Sequence, residues 1–260
     1  MNSNRKSIEC DYIVIGGGIV GGCISYYLSQ NNKEVICIDS GAFSGSNSNA
    51  GSIHVQLQSR NFRLNPHLID NLLENLPFYK EAVNAWDRLR LMLDVDFDLR
   101  VNGGLMVADN EEQLEFLYKK CQKEKAAGLD VEIMDSNKIK KIYPFLSNKV
   151  VGAEFCAHEG KLNPLVANKS LQEVSLRSGV KIMKCETVNH IEFKNNEYFI
   201  KTNLRDYFCE TVIIAAGSGS GKLANFLNIN IPTIAEPLHM NVTEKVSMFI
   251  PILIQHAERS

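Results

Sequence analysis

Residues 11–22 have the sequence DYIVIGGGIVGG, and this stretch decides the fold class. Asp11 to Ile15 is an apolar run rich in β-branched side chains, which is typical of a strand buried on both faces. Three glycines interrupt the run, and residues 19–30 then carry apolar side chains at helical spacing. Residues 34–38 form a second apolar run. The order strand, glycine turn, helix, strand predicts a βαβ unit with parallel strands.

The glycine spacing within this unit points to dinucleotide binding. Gly16 allows a tight turn, Gly18 lets a pyrophosphate approach the backbone, and Gly21 lets helix and strand pack closely. The helix N-terminus offers N–H groups and a positive dipole end to phosphates. Asp39 ends the second strand, where a carboxylate accepts hydrogen bonds from ribose hydroxyls. The alternative is a glycine turn with a chance acid after it, and the complete order of elements favours the dinucleotide site.

Two further segments have the composition of cofactor-contacting loops. Thr211 to Gly217 is an apolar strand that ends in small residues, which would let a cofactor approach the backbone. Residues 46–52 (SNSNAGS) form a Ser- and Asn-rich loop that follows the ribose acid and precedes an apolar run. A plain strand-to-turn transition and a solvated surface loop are the competing interpretations of these two segments.

Composition excludes several classes of protein. The 260 residues carry 28 Lys+Arg against 30 Asp+Glu, and a net charge of −2 argues against binding to nucleic acid. The longest apolar runs are far shorter than a membrane span, and the polar start shows no secretory signal, so we expect no transmembrane segment. The seven cysteines are scattered without a C-x-x-C pair. This usage favours free thiols in the reducing cytoplasm and predicts no metal site.

The remaining pattern predicts an α/β fold with antiparallel material inserted. We expect a Rossmann-like FAD/NAD(P)-binding domain at residues 8–60 and 150–225. It is interleaved with an antiparallel-sheet α+β substrate subdomain at residues 61–149 and 226–260, incomplete at its C-terminus. Residues 99–108 are predicted to form a strand pair bent at Gly103, and residues 249–255 a strand without partners. Residues 110–127 are predicted to form a helix capped by Asn110 and Gln113, with Lys120 on its solvated face.

Taken together, these motifs resemble the FAD-dependent oxidoreductases of the D-amino-acid oxidase family, which includes glycine and sarcosine oxidases. The most specific stretches are residues 49–58 (NAGSIHVQLQ), 154–164 (EFCAHEGKLNP) and 237–243 (PLHMNVT). They are similar to the β subunits of opine oxidases and to hydrogen cyanide synthase subunits. The resemblance runs from Asp11 to the end of the chain.

The resemblance implies FAD rather than NAD as the cofactor, with these roles for the site residues. Gly16, Gly18 and Gly21 would form the phosphate turn, and Asp39, followed by Ser40, would hold the ribose. Asn49, Ala50, Gly51 and Ser52 would line the pyrophosphate and flavin. Val188 would meet the adenine through its backbone, and Ala216 and Gly217 would close the phosphate side. No catalytic residue is assigned.

The activity implied by the resemblance is oxidation of the C–N bond of a small amino acid or secondary amine, with transfer of a hydride to the flavin. Other oxidase subunits are possible partners. Family members continue for about another third of a chain, so we expect a fragment, a truncated product or part of a split enzyme, with weak FAD binding. Two alternatives stay open: an NAD-linked dehydrogenase, and an inactive subunit that only binds partner chains.

Overall fold

The computed structural model describes residues 7–42, 44–236, 239–244 and 246–258. Its strands are β1 (Ser7–Ile15), β2 (Val35–Asp39), β3 (Ser52–Ile53), β4 (Gly104–Ala108), β5 (Val131–Asp135), β6 (Gly152–Cys156), β7 (Gly160–Lys161), β8 (Lys181–Lys184), β9 (Val188–Lys194), β10 (Glu197–Thr202), β11 (Asp206–Ile214) and β12 (Leu253–His256). Its α-helices are α1 (Ile19–Ser29), α2 (Ser59–Leu64), α3 (Ile69–Glu74), α4 (Leu76–Leu93), α5 (Glu111–Ala126), α6 (Ser136–Ile142), α7 (Pro164–Arg177) and α8 (Ser220–Ala224). Pro237 and Leu238, which belong to the third family-like stretch, lie outside the described residues, as does Phe43.

The chain divides into two compact units, each made of two segments. Unit 1 comprises residues 1–49 and 164–240, and unit 2 comprises residues 50–163 and 241–260. Compared with the expected bounds, residues 50–60 and 150–163 lie in unit 2, and residues 226–240 lie in unit 1. The reason for the first difference is local pairing, because β3 pairs with β7 and the Gly51 carbonyl accepts a hydrogen bond from the Leu162 N–H at 2.8 Å.

Unit 1 is built on a six-stranded sheet with the order β8-β2-β1-β11-β10-β9. The first four strands are mutually parallel, and β10 and β9 continue the sheet as an antiparallel hairpin. The predicted βαβ unit is therefore present as β1-α1-β2. Alternate residues of its strands face opposite sides, so that Ile13 and Ile36 lie in one core while Val14 and Cys37 lie in another. Burial on both faces explains why these strands are continuously apolar.

Unit 2 contains a four-stranded sheet with the order β12-β4-β6-β5. Strand β6 is antiparallel to both β4 and β5, as expected for an antiparallel-sheet subdomain. Met106 and Ala108 of β4 pack with Leu117 of α5 on one face, and Leu105 and Val107 pack with Met134 and Ile139 on the other. The alternation of faces along β4 thus covers both sides of the sheet with apolar side chains.

Two strand predictions in this unit are wrong. Within residues 99–108, only Gly104–Ala108 forms a strand, and Arg100 makes an isolated bridge to Lys161 instead of pairing within the segment. The segment at residues 249–255 does not lack a partner, because β12 pairs in parallel with β4 from Leu253↔Gly104 to His256↔Val107. Sequence reasoning had no means to find this pairing, which joins residues about 150 positions apart.

Helix α5 begins as predicted, but its buried face is different from the expected one. The Asn110 side chain accepts a hydrogen bond from the Gln113 N–H at 2.9 Å, and Gln113 Oε1 accepts one from the Asp109 N–H at 2.8 Å. Lys120, expected on the solvated face, is 1% exposed. The helix presents Leu117, Lys120 and Glu124 to the interior together, since these positions share one face at 3.6 residues per turn.

Three observations bear on other predictions. All seven cysteines are free thiols. Among the described residues, no cluster of three or more His, Cys, Asp or Glu side chains has the arrangement of a metal site. No helix in the described part of the chain combines the length and the apolar character needed to cross a bilayer.

Candidate functional site

The glycine turn lies at the carboxyl end of β1, between the ends of β2 and β11. The Gly16 N–H donates to the Ile38 carbonyl at 2.9 Å, and Gly16 has a φ of +116°. A methyl group built on Gly16 would collide with the Ala215 carbonyl oxygen. Gly16 is therefore required both for its backbone conformation and for the close approach of β11.

Gly17 is a site residue that the sequence pattern did not single out. A methyl group at this position would collide with the carboxylate of Asp39. The absence of a side chain lets that carboxylate lie directly against the turn. The signal in the sequence was the middle one of three consecutive glycines, which the Gly-x-Gly-x-x-Gly pattern counts as a variable position.

The N-terminus of α1 is open on its solvent side. Gly18 is its N-cap residue and has no side chain to cap it, while the Ile19 N–H donates to Ser46 Oγ at 3.0 Å. The Gly17 and Gly18 N–H groups meet no acceptor among the described residues. A methyl group on Gly21 would collide with the Gly16 carbonyl oxygen, so the helix contacts the turn directly. Such an N-terminus can accept an anion.

Asp39 is held by backbone contacts on both sides. Its Oδ1 accepts a hydrogen bond from the Gly41 N–H at 3.0 Å, and its carbonyl accepts one from the Glu186 N–H at 3.0 Å. Ser40 is exposed, and its hydroxyl accepts from the Ala42 N–H at 3.3 Å. Val188, half-buried, begins β9 two residues after Glu186. The structure thus brings Asp39 and the start of β9 together through one backbone hydrogen bond.

Ala216 and Gly217 follow β11, next to the glycine turn. The Ala215 N–H donates to the Ile15 carbonyl at 2.8 Å, and Gly217 adopts a φ of +56° as the chain enters a short 3₁₀ turn. The small residues predicted at this strand end are therefore adjacent to Gly16, as expected for a backbone that a cofactor approaches.

The Ser- and Asn-rich loop divides between the two units. Asn49, in unit 1, uses its side-chain NH₂ to close the loop, donating to the Gly45 carbonyl at 2.9 Å and to the Ser46 carbonyl at 3.1 Å. In unit 2, Ala50 is exposed, Gly51 is buried with a φ of +69°, and Ser52 pairs with Lys161. The segment is ordered by these contacts and is not a freely solvated loop.

The unit 1 residues fit the phosphate and ribose half of a dinucleotide. The glycine turn forms a cradle that side chains would fill, two N–H groups and a helix N-terminus are available to an anion, and Asp39 Oδ2 lies beside the turn. These are the donors for a pyrophosphate and the acceptor for a ribose. The fit rests on Gly16, Gly17, Gly18 and Asp39, and the roles expected for Gly16, Gly18 and Asp39 stay predictions.

A buried ionic cluster in unit 2 was missed by the sequence analysis. Lys120 Nζ donates to Glu124 Oε2 at 2.9 Å, to Glu154 Oε2 at 2.8 Å and to Gln56 Oε1 at 3.3 Å. The Leu57 N–H donates to Glu124 Oε1 at 2.6 Å. Burial, with Glu124 close by, raises the pKa of the Glu154 carboxyl to about 8, although Lys120 opposes this. A protonated Glu154 leaves one carboxylate to balance the one ammonium group.

A third buried carboxylate, Glu159, anchors the same segment. Its Oε1 accepts from the Val55 N–H at 3.1 Å and from the Gln56 N–H at 3.3 Å, and its Oε2 accepts from Gln56 Nε2 at 2.8 Å. Gln255 Nε2 of β12 donates to the same carboxylate at 3.2 Å, and His54 Nδ1 lies 3.8 Å from it. Residues 55–57, which follow the expected flavin-lining segment, are therefore held by buried charges on two sides.

The sequence contained a signal for these clusters. Gln113, Leu117, Lys120 and Glu124 recur at spacings of four, three and four residues, which places them on one helical face with the apolar Leu117. Glu154 and Glu159 lie in one of the stretches that carry the family resemblance, and Gln56 lies in another.

Comparisons with known proteins identify the family. The model of the family described as "FAD dependent oxidoreductase" (DAO) matches residues 11–251. Glycine oxidase of Bacillus subtilis (strain 168) is 26% identical over 84% of this chain and 57% of that protein. The B subunit of opine oxidase from Agrobacterium tumefaciens (strain Ach5) is 23% identical over 94% of this chain and 66% of that protein. The crystal structure of glycine oxidase from Geobacillus kaustophilus superposes with a TM-score of 0.75 at 18% identity, covering 85% of this chain and 59% of that one.

These matches confirm the family resemblance and the fold class, and they favour FAD over NAD, because FAD is the cofactor of the matched family. The chain spans a little under three fifths of the length of the Bacillus enzyme and two thirds of the Agrobacterium protein. The match over residues 11–251 includes the glycine turn and Asp39. The chain belongs to the DAO family of FAD-dependent oxidoreductases.

Proposed function

We propose that this protein is an FAD-dependent oxidoreductase that oxidises the C–N bond of an amino acid or secondary amine of the glycine, sarcosine or opine type. The observation that carries the proposal is the glycine turn, with its two available N–H groups and the Asp39 carboxylate packed against Gly17. The family match favours FAD as the dinucleotide that this turn receives.

Each part of unit 1 has a defined role in this proposal. The Gly17 and Gly18 N–H groups and the N-terminus of α1 bind the pyrophosphate, since all three favour negative charge. Asp39 accepts hydrogen bonds from the ribose, and Ser40 lies beside it. The Val188 backbone contacts the adenine, and Ala216 and Gly217 leave room on the phosphate side. Asn49, the last residue of the loop in unit 1, lines the pyrophosphate in this proposal.

The reaction removes a hydride from the substrate carbon that bears the nitrogen. FAD supplies the acceptor for that hydride when it is bound. The substrate becomes an imine, which water hydrolyses to a carbonyl compound and an amine or ammonia. The contribution of the chain is to hold the acceptor and the substrate carbon in near-attack geometry, where a displacement of about 1 Å costs roughly 100-fold in rate.

The substrate class and the partners rest on similarity. The chain is similar to a protein named glycine oxidase and to one named as the B subunit of an opine oxidase, and the second name supports a partner chain. We also propose a cytoplasmic location, because all seven cysteines are free thiols and the cytoplasm keeps thiols reduced.

The test is anaerobic reduction of the FAD-loaded protein by candidate amines. Glycine, sarcosine, proline and an opine are each mixed with the protein, and the loss of oxidised-flavin absorbance is followed. We expect reduction by at least one of them and none by the matched hydroxy acids. Bound FAD that no amine reduces would support an inactive chain that only binds partners. Binding of NAD in place of FAD would overturn the proposal and favour a dehydrogenase.

A further inference from the structure

Two amide side chains of helix α7 donate hydrogen bonds to two different loops of the dinucleotide site. Gln172 Nε2 donates to the Gly17 carbonyl at 2.9 Å, and Asn168 Nδ2 donates to Asn47 Oδ1 at 2.9 Å. The two residues are four positions apart and therefore lie on the same face of the helix. Neither was singled out by the glycine fingerprint or by the family resemblance.

The hydrogen bond from Gln172 determines the direction of the Gly18 N–H, the group that we expect to donate to a phosphate. The Gly17 carbonyl and the Gly18 N–H belong to one peptide group, which is planar and trans, so they point in opposite directions. Glycine flanks the peptide on both sides, and its free rotation would let this peptide flip at little cost. By holding the carbonyl, Gln172 keeps the Gly18 N–H turned to the opposite side, where no described residue accepts it.

The bond from Asn168 fixes the second loop against the helix N-terminus. Asn168 is 3% exposed, so the donor of this bond is buried, whereas the acceptor residue Asn47 lies on an exposed loop. Ser46, adjacent to Asn47, accepts a hydrogen bond from the Ile19 N–H at 3.0 Å. Asn168 thereby holds the Ser46 hydroxyl at the first turn of α1 and beside Gly18, since a methyl group on Gly18 would lie 2.9 Å from Ser46 Oγ.

The packing of α7 on α1 does not depend on these amides. A methyl group on Gly22 would lie 3.6 Å from the Leu171 Cβ, and the Ser175 hydroxyl donates to the Gly22 carbonyl at 3.5 Å. These contacts are made by Leu171 and Ser175 and involve neither amide side chain. The amide pair therefore acts on the two loops and not on the helix pair itself.

We propose that Gln172 and Asn168 are positioning residues that orient the glycine turn and the Ser46–Asn47 loop for the cofactor pyrophosphate. The inference rests on the proposed function, because it takes FAD to be the ligand of this turn. Its specific content is that loss of either bond weakens binding of the pyrophosphate part and leaves binding of the adenosine part unchanged.

The experiment measures dissociation constants of FAD, ADP and adenosine for the full chain and three variants. Gln172→Met keeps the length of the side chain and removes its donor. Asn47→Ala removes the acceptor of Asn168 from an exposed loop position, so it tests the second bond without disturbing the core. Glu173→Met is the matched control, because Glu173 is the exposed neighbour of Gln172 on the same helix.

We expect about a tenfold weaker binding of FAD and ADP to Gln172→Met and to Asn47→Ala, which corresponds to one lost hydrogen bond. Adenosine binding and the unfolding temperature without ligand should match those of the unaltered chain, as should every property of Glu173→Met. An equal loss for adenosine, or unchanged FAD affinity in either variant, would overturn this inference alone. If the unaltered chain bound no FAD, both this inference and the proposed function would be overturned.

Discussion

At the scale of single residues, Gly17 of the glycine turn lies directly against Asp39, the acid that we propose for ribose binding. The Gly-x-Gly-x-x-Gly pattern defines Gly16, Gly18 and Gly21. The structure shows that the carboxylate of Asp39 occupies the space where a side chain at position 17 would lie. The acid is thus placed by the turn as well as by its own strand. Position 17, which the pattern treats as variable, is therefore restricted to glycine by the carboxylate of Asp39.

Asp39→Ala is expected to weaken FAD binding by roughly 10- to 100-fold, because a hydrogen bond to a charged group contributes about 1.5–3 kcal/mol. Fluorescence titration of FAD measures this change. The control is Asp87→Ala, an exposed acid on α4 in unit 2 that pairs with Arg90 at 2.8 Å. Equal FAD affinity in the Asp39 variant and the unaltered chain would remove the ribose contact from the account.

Glu154 makes the stability of unit 2 depend on pH. Its pKa in the folded chain is raised to about 8, chiefly by burial, against about 4.3 for a free glutamate. The folded state therefore binds this proton more tightly than the unfolded state. The stabilisation it provides is complete below about pH 4 and is lost as the pH rises through about 8. We expect the free energy of unfolding to fall over that interval.

Glu154→Gln mimics the protonated carboxyl, so it should flatten this fall and leave the variant the more stable protein at about pH 9. Denaturant titrations across the pH range measure the slope. Glu115→Gln is the control on exposed α5 surface, where hydrogen bonding to Lys119 lowers the pKa of the carboxyl. An unchanged slope in Glu154→Gln would mean that this carboxyl is ionised in the folded protein at neutral pH.

At the scale of elements, α1 contains two adjacent glycines, Gly21 and Gly22, and only at Gly21 is there no space for a side chain. A methyl group on Gly21 would collide with the backbone carbonyl of Gly16, which cannot move without displacing β1. A methyl group on Gly22 would make an ordinary contact 3.6 Å from the Leu171 Cβ. The close packing of helix on strand therefore depends on the first glycine only.

Gly21→Ala should destabilise the chain by about 1–3 kcal/mol, the usual cost of overpacking, and should also disturb the turn. Gly22→Ala should be neutral or stabilise it by up to about 1 kcal/mol, because alanine favours a helix over glycine. Chemical denaturation of the two variants side by side gives the comparison. The reverse order of stability would show that α1 does not sit on β1 as described.

The elements differ in how well the sequence predicts them. The βαβ unit follows from local patterns, because apolar runs, glycines and a terminal acid all lie within residues 11–39. The pairing of β12 with β4 could not be predicted, since it depends on contacts between residues about 150 positions apart. The burial of Lys120 was also missed, because a charged residue on a helix is by default solvated and only tertiary contacts with Glu124 and Glu154 reverse that.

At the scale of the whole molecule, burial separates the seven thiols into two groups. Cys185 is exposed, whereas burial raises the pKa of Cys10 and Cys156 to about 12 and that of Cys23, Cys37, Cys121 and Cys209 to about 11. Thiolates are the reactive species, so the second group should be inert at neutral pH. The scattered spacing in the sequence indicated free thiols but could not show which of them is exposed.

We expect one of the seven thiols to react quickly with Ellman's reagent in the native protein and all seven to react after denaturation. Cys185→Ser should abolish the fast reaction, whereas Cys209→Ser, at a buried position, should leave it unchanged. A fast reaction of Cys37, Cys156 or Cys209 in the native chain would contradict the burial of the sheet strands that carry them.

The sequence located the glycine turn and the ends of β2 and β11, and the binding roles expected for their residues stay predictions. Gly16, Gly18, Gly21, Asp39, Ala216 and Gly217 were located by patterns that the backbone itself requires. Gln172 and Asn168 were not, because their role depends on the approach of α7 to two loops more than a hundred residues away. The buried carboxylates around residues 55–57 likewise become visible only once unit 2 is folded.

The central claim is that the glycine turn and Asp39 bind FAD, and the most direct test is equilibrium titration of the purified chain with FAD and, separately, with NAD. The account predicts saturable binding of one FAD per chain, no comparable binding of NAD, and loss of FAD affinity in Gly18→Val, whose branched side chain would occupy the space of the pyrophosphate. Full FAD affinity in Gly18→Val, or preferential binding of NAD, would contradict it.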